Sequence, residues 1–206
     1  MTWKEYFQNP KRKLETILSF LFLITALISL ANFLNYVETR NGIVLPDPLL
    51  NLFQPINLTW LTFGIIYFSL LLTIFLLAKK PESILLTIQT YVLIIAVRIV
   101  MMYVVPFNPP KNMLALNDPF VQFFGTGQIL TKDLFFSGHT AIMFLFYLVA
   151  KSKKIKKILI VLTIIVAASV IIQHVHYTVD VLVAPFVTYG CYSAVKYFRT
   201  NLAFYK

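Results

Sequence analysis

Six long apolar runs constrain this chain more than anything else in it: residues 14–36, 57–78, 83–105, 134–150, 158–173 and 177–198. A hydrocarbon core of roughly 30 Å takes about 20 apolar residues per helical span, and these runs are of that order. They are continuous, whereas the strands of a membrane β-barrel alternate apolar and polar residues over about ten positions, so a barrel does not fit. A chain that is 59% hydrophobic and only 13% charged also lacks the polar surface of a water-soluble globule. The expected fold class is all-α: a polytopic membrane protein built as a six-transmembrane-helix bundle, in which each span satisfies its own backbone hydrogen bonds.

The formal charge of +10 is distributed along the membrane path rather than gathered into a nucleic-acid face. Lys4, Lys11, Arg12 and Lys13 precede the first run, and Lys79 and Lys80 follow the second. Lys151, Lys153, Lys154, Lys156 and Lys157 join the fourth to the fifth, while Lys196, Arg199 and Lys206 follow or end the sixth. The opposite loops carry Arg40, Lys111 and Lys132 against Glu38, Asp47, Asp118 and Asp133. This is the positive-inside pattern, and it predicts that both termini are cytosolic. The lysine-rich loop also suits contact with anionic lipid heads, at about 1 kcal/mol per basic residue near the surface. No nucleic-acid partner is expected; the lipid bilayer is.

The first run exceeds the apolar region of a signal peptide and no small-residue cleavage site follows it, so it reads as a retained anchor. Trp3 and Tyr6, beside the N-terminal lysines, read as an amphipathic interfacial lead-in. Cys191 is the single cysteine and falls inside the last run, which excludes an intrachain disulfide and a cysteine-metal cluster. There is no internal repeat, low-complexity tract or second soluble domain, so residues 1–206 read as one domain.

All three histidines lie in two short strings at the edges of apolar runs, Ser137-Gly138-His139-Thr140 and His174-Val175-His176-Tyr177-Thr178-Val179-Asp180. The charge pattern places both strings on the non-cytosolic side. Segments 38–54 and 106–133 fall there too, and their Pro, Asn, Asp and Gly residues favour turns over helix, which predicts a cap over the site. His176 and Asp180 have i, i+4 spacing, which on a helix puts both on one face. An aspartate accepting a proton from one imidazole nitrogen fixes the tautomer and leaves the other nitrogen free to act as a nucleophile. The alternative is a helix-capping aspartate beside an interfacial histidine, but ionisable groups bordering hydrocarbon are costly and need a partner or a task. Ser137 can cap the fourth helix, Gly138 lets a ligand approach the backbone, and the amides of that first turn form an anion site. His139, on the same turn, has an unperturbed pKa suited to protonating a departing oxygen.

Four further residues carry open alternatives. His174 is about 200° around a helix from His176, which suits support of the loop better than direct chemistry. Asp133 either binds a head-group cation and tunes His139, or caps the fourth helix. Arg98, roughly 12 Å below the exit at Pro106 by helical rise, either snorkels to the interface or binds phosphate. Pro185, inside the last run, predicts a kink.

These motifs resemble the second and third signatures of the type 2 phosphatidic acid phosphatase superfamily, and more closely those of its sphingomyelin synthase branch. Asp133-Leu134-Phe135-Phe136-Ser137-Gly138-His139-Thr140 is similar to that branch's Gly-Asp-x-x-Phe-Ser-Gly-His-Thr element. His174-x-His176-Tyr177-Thr178-Val179-Asp180-Val181 is similar to its His-x-His-Tyr-Thr-Ile/Val-Asp-Val element. Arg98-x-x-Met101-x-Tyr103-Val104 with Pro106 resembles its third-helix motif, and Leu45-Pro46-Asp47 its Leu-Pro-Asp element. Lys132 departs from the pattern by replacing the glycine before Asp133. Val170 follows Ser169 where the wider superfamily has Ser-Arg, which leaves fewer cations for a dianionic phosphomonoester and suits a phosphodiester.

The resemblance implies a catalytic set of His139, His176 and Asp180, with Ser137, Gly138, Arg98 and Asp133 binding substrate. His176 attacks the phosphorus of a phospholipid, His139 protonates the departing diacylglycerol oxygen, and a second hydroxyl takes the head group. If that hydroxyl belongs to a lipid such as ceramide the enzyme is a synthase; if it belongs to water it is a lipid phosphatase or a phospholipase C-like hydrolase. A non-catalytic transporter or lipid-binding protein is the remaining class, and the intact His139, His176 and Asp180 set weighs against it. No metal or other cofactor is implied, and the chain offers no carboxylate cluster of the kind magnesium prefers. The short chain points to a microbial plasma membrane with the site on its outer face.

Overall fold

A computed structural model describes residues 2–116 and 130–201. Among the described residues there are seven α-helices: α1 (Trp3–Phe7), α2 (Pro10–Thr39), α3 (Thr59–Leu77), α4 (Pro81–Val104), α5 (Gly138–Val149), α6 (Lys153–Ile172) and α7 (Thr178–Asn201). A short 3-10 turn covers Leu50–Leu52. The helices begin where local chemistry allows: the Asn9 side chain accepts from the Lys11 amide at 2.9 Å ahead of Pro10, and Pro81 opens α4, its missing N–H costing nothing in a first turn. α7 runs through Pro185 as one helix.

Five of these helices, α2, α3, α4, α6 and α7, are long and apolar enough to cross a membrane. The fourth expected span is different. Residues 134–150 read as one apolar run, yet α5 has 12 residues, roughly 18 Å of rise, and residues 134–137 are not helical. Tertiary partners take the backbone groups that a longer helix would use. The Phe136 carbonyl accepts from Arg98 Nε at 3.1 Å, and the Ser137 amide donates to the Asp180 carbonyl at 3.1 Å.

α5 is the shortest of the apolar helices and the most central, packing on α3, α4, α6 and α7. Ala141, Met143 and Leu145 within it are fully buried. Surrounded by protein, it has no need to match the thickness of lipid. α2 lies at the edge against α1 and α4, and its exposed Leu21, Phe22, Ile24 and Ile28 form a lipid-facing surface. Between apolar helices in lipid, close packing and hydrogen bonds replace the hydrophobic drive, as where Thr62 Oγ1 and Ser169 Oγ meet at 2.8 Å between α3 and α6.

At the end that carries both termini, α1 packs onto the bundle. Tyr6 is 1% exposed because its hydroxyl donates to Glu15 at 2.7 Å, while the Trp3 indole N–H donates to the Ala78 carbonyl. Burial, reinforced by the Glu15 carboxylate, pushes the Tyr6 phenol well above its usual range and keeps it a neutral donor. Glu15 also pairs with Arg199 of α7 and accepts from Gln89 of α4 at 3.0 Å, so a polar knot ties α1, α2, α4 and α7.

At the opposite end the two predicted cap segments meet. Gly42 and Asn108 exchange hydrogen bonds of 3.2 and 2.7 Å, and Ile43 bridges to Phe107. Only glycine fits position 42, where a Cβ would stand 2.6 Å from the Phe107 backbone carbon. Residues 117–129 of the second segment, with Asp118, and Lys206 of the charge pattern lie outside the described residues.

Candidate active site

The turn between α6 and α7, residues 173–177, carries the first half of the site. His176 precedes α7 and is not helical, so the helical spacing inferred from sequence is not what joins it to Asp180. The pair forms instead because the turn folds back over the helix start: His176 Nδ1 lies 3.4 Å from Asp180 Oδ2, and both residues are fully buried. Asp180, in the first turn of α7, also accepts from the Tyr177 amide at 3.0 Å, half of a capping box. Capping and imidazole orientation, alternatives at the level of sequence, are therefore performed by one carboxylate. Gln173 fixes the start of the turn by accepting from the Leu58 amide at 2.9 Å and donating to Thr59 Oγ1 at 3.0 Å. His176 Nε2 and Asp180 Oδ1 are buried and lack a hydrogen-bond partner among the described residues. His174 sits apart, with φ 56°, its Nδ1 3.4 Å from the Lys111 carbonyl and its ring edge-on to Phe53.

The second half is the start of α5. Ser137 caps it, its Oγ accepting from the Thr140 amide at 3.4 Å. Asp133 does not cap this helix, which removes that alternative; it pairs with Arg98. Arg98 does not snorkel either. It is 6% exposed, held by Asp133 and the Phe136 carbonyl, with its guanidinium packed flat against Gly138. A Cβ at that position would stand 2.6 Å from Arg98 Nη1, so the glycine is what admits the guanidinium. Burial alone would raise the Asp133 pKa, but the Arg98 charge, with smaller contributions from His176 and His139, holds the carboxyl below the usual range. His139 projects from the same turn toward His176, ring centroids 5.7 Å apart at 63°, and packs edge-on against Phe63 of α3.

All seven site residues read from sequence thus converge from three chain segments. Residues 132–197, which span both histidine strings, match the family model described as PAP2 superfamily C-terminal. The match supports the PAP2 superfamily. Members of the PAP2 superfamily are phosphatases and phosphotransferases acting on lipid phosphates. No curated protein matches the chain.

A cavity of about 740 Å³ leads to this constellation, with Arg98, Asp133, Gly138 and His139 at one end. Its remaining wall is almost wholly apolar, drawn from Phe20 and Leu27 of α2, Phe63, Leu70 and Ile74 of α3, Ile84 and Ile88 of α4, and Ile142 of α5. Along α4 it runs from Ile84 to Arg98, roughly 21 Å by rise and longer than one leaflet of a roughly 30 Å core. His176 stands behind His139 and off this wall. Sequence reasoning missed Phe63, Gln173 and the carboxylates of Glu38 and Asp47, which grip backbone beside the site. Of these only Asp47 had a signal, the Leu-Pro-Asp element.

Proposed function

We propose that this protein transfers a phospho-head group from a phospholipid, through a phosphohistidine on His176, to a lipid alcohol such as ceramide, as sphingomyelin synthases do. The observation that carries the reading is the polar end of a long apolar cavity, lined by Arg98, Asp133, Gly138 and His139, with the His176–Asp180 pair packed directly behind His139. Lipid enters laterally between α2 and α3, tails along the cavity and phosphate against Arg98 and the first amides of α5. With the lipid seated, His139 turns aside and His176 Nε2, the ring nitrogen not committed to Asp180, attacks phosphorus. The bond to the diacylglycerol oxygen breaks and His139 protonates that oxygen. Asp180 holds the proton on Nδ1 and stabilises the charge formed. In the second half the acceptor hydroxyl gives its proton to His139 and attacks phosphorus, releasing His176. Splitting one substitution into two lowers each barrier.

Two features favour a phosphodiester donor and a lipid acceptor. Arg98 shares its charge with Asp133, which suits a monoanionic phosphate better than a dianionic one, and leaves Asp133 beside any head-group cation. The apolar walls and the full burial of His176 and Asp180 disfavour water as acceptor. Hydrolysis on the same residues is the second reading, with which the PAP2 match is equally compatible. With either acceptor, we propose that the site opens on the outer face of a microbial plasma membrane with both termini cytosolic, an orientation supported by the charge pattern of the loops. The deciding experiment offers the purified protein head-group-labelled phosphatidylcholine, phosphatidylethanolamine and phosphatidic acid, with and without ceramide. Ceramide-dependent labelled sphingolipid is the expected product; free head group or phosphate alone, indifferent to ceramide, replaces the transferase with a hydrolase.

A further inference from the structure

We infer that Glu38 and Asp47 are positioning residues, each fixing one half of the reaction centre through its backbone; this rests on the head-group transfer reading above. In the sequence they are two acidic residues on the less basic side. In the fold each carboxylate closes several bonds on a segment that carries site residues. Asp47 is buried, and its Oδ2 accepts from the Thr178 amide at 2.7 Å while Oδ1 accepts from Thr178 Oγ1 and from the Leu49 amide, both at 3.1 Å. Thr178 opens α7, two residues after His176 and two before Asp180. Its amide is one of the donors that a helix start leaves without an internal partner, and a carboxylate there is also favoured by the helix dipole.

Glu38, near the end of α2, acts on the other half. Its Oε1 accepts from the amides of Thr131 and Lys132 at 2.6 and 2.7 Å, and its Oε2 from Thr131 Oγ1 at 2.9 Å. Lys132 Nζ returns to the Glu38 carbonyl at 3.0 Å. The next residue is Asp133, the partner of Arg98. One segment, 38–47, therefore sets the His176–Asp180 half with one end and the Asp133–Arg98 half with the other, and Gly42 anchors its middle to Asn108. Because misplacing a reacting group by about an ångström costs on the order of 100-fold in rate, such a strap governs turnover without touching the phosphorus.

The test separates the two ends. Asp47→Ala lowers kcat about 10- to 100-fold with KM little changed, and Asp47→Asn, which keeps one accepting oxygen, recovers most of it. Glu38→Ala raises KM for the phospholipid about tenfold through Asp133 and Arg98, with a smaller change in kcat, and Glu38→Gln restores it. Losses that only follow the folded fraction in thermal unfolding, or normal kcat and KM in either alanine variant, overturn the proposal. Nuclear magnetic resonance of ring-labelled histidines provides a readout independent of turnover. His176 signals move in Asp47→Ala and stay in place in Glu38→Ala; unmoved signals in both overturn the positioning role. Failure of the transfer reading looks different: the wild type turns over no lipid while those signal changes persist.

Discussion

The bundle buries charged side chains at both ends, and the two clusters are finished differently. At the end with the termini, the Glu15 carboxylate accepts from Tyr6, Gln89 and Arg199, Gln89 donates also to Ser19 at 2.9 Å, and its own carbonyl accepts from Arg199 at 2.7 Å. At the capped end, His176 and Asp180 are more deeply buried than Glu15 and Arg199, yet Nε2 of one and Oδ1 of the other meet no partner among the described residues. A buried polar atom left unsatisfied costs about 1–3 kcal/mol. The chain avoids that cost where it needs a clamp and accepts it beside the cavity. Under the proposed function, that unmet hydrogen-bonding capacity is what distinguishes the His176–Asp180 pair from the satisfied knot around Glu15.

The comparison can be broken at either end. The largest effect is expected from His176→Ala, which removes the nucleophile and lowers head-group turnover by about 10⁴-fold or more while the unfolding temperature in detergent holds or rises. Turnover within tenfold of wild type would falsify the catalytic assignment. Next comes Glu15→Ala, which removes the carboxylate partner of the half-buried Arg199 and the acceptor for Tyr6 and Gln89 and destabilises the fold by about 1–3 kcal/mol, read by thermal unfolding, with activity per folded molecule unchanged. A double change to Glu15→Leu and Arg199→Leu recovers much of that stability. If Glu15→Ala instead abolished activity in a fully folded sample, the knot would belong to the chemistry.

Gly138→Ala sharpens the contrast within the capped end, since the added methyl evicts the Arg98 guanidinium. A loss of about 100-fold in kcat/KM is expected from a displacement on the ångström scale, without a matching loss of stability. Unchanged kinetics would mean that Arg98 is not needed at that position. The smallest effect belongs to Tyr6→Phe, which deletes one hydrogen bond of the knot and costs about 1 kcal/mol in unfolding measurements, leaving turnover as it was.

Much of the capped end was legible in sequence because its chemistry is concentrated in two short strings and one arginine. Ser137, Gly138, His139, His176 and Asp180 needed only to be brought together, and the apolar runs located five of the helices that do so. Legibility failed where the deciding partner is remote. Residues 134–136 look as apolar as any span, and only the bonds from Arg98 and to Asp180 show why they do not coil. Glu15, Gln89 and Arg199 meet across 74 to 184 positions, so no local pattern announces the knot or the bond that Tyr6 makes in it. His176 reached Asp180 as anticipated, though by a turn rather than a helical face: the contact was inferred correctly for a wrong reason.

The shortness of α5 has a bearing on what a lipid must do. Gly138 starts this helix beside Arg98, and Arg98 lies roughly 9 Å of helical rise below the end of α4 at Val104. On the proposed function, a lipid phosphate must therefore reach below the end of α4 to meet Arg98. Under that reading the lipid's tails follow the apolar cavity while its head is drawn downward, shedding water on the way. Selection among lipids under that reading begins on the descent, where the cost of giving up hydration differs between head groups.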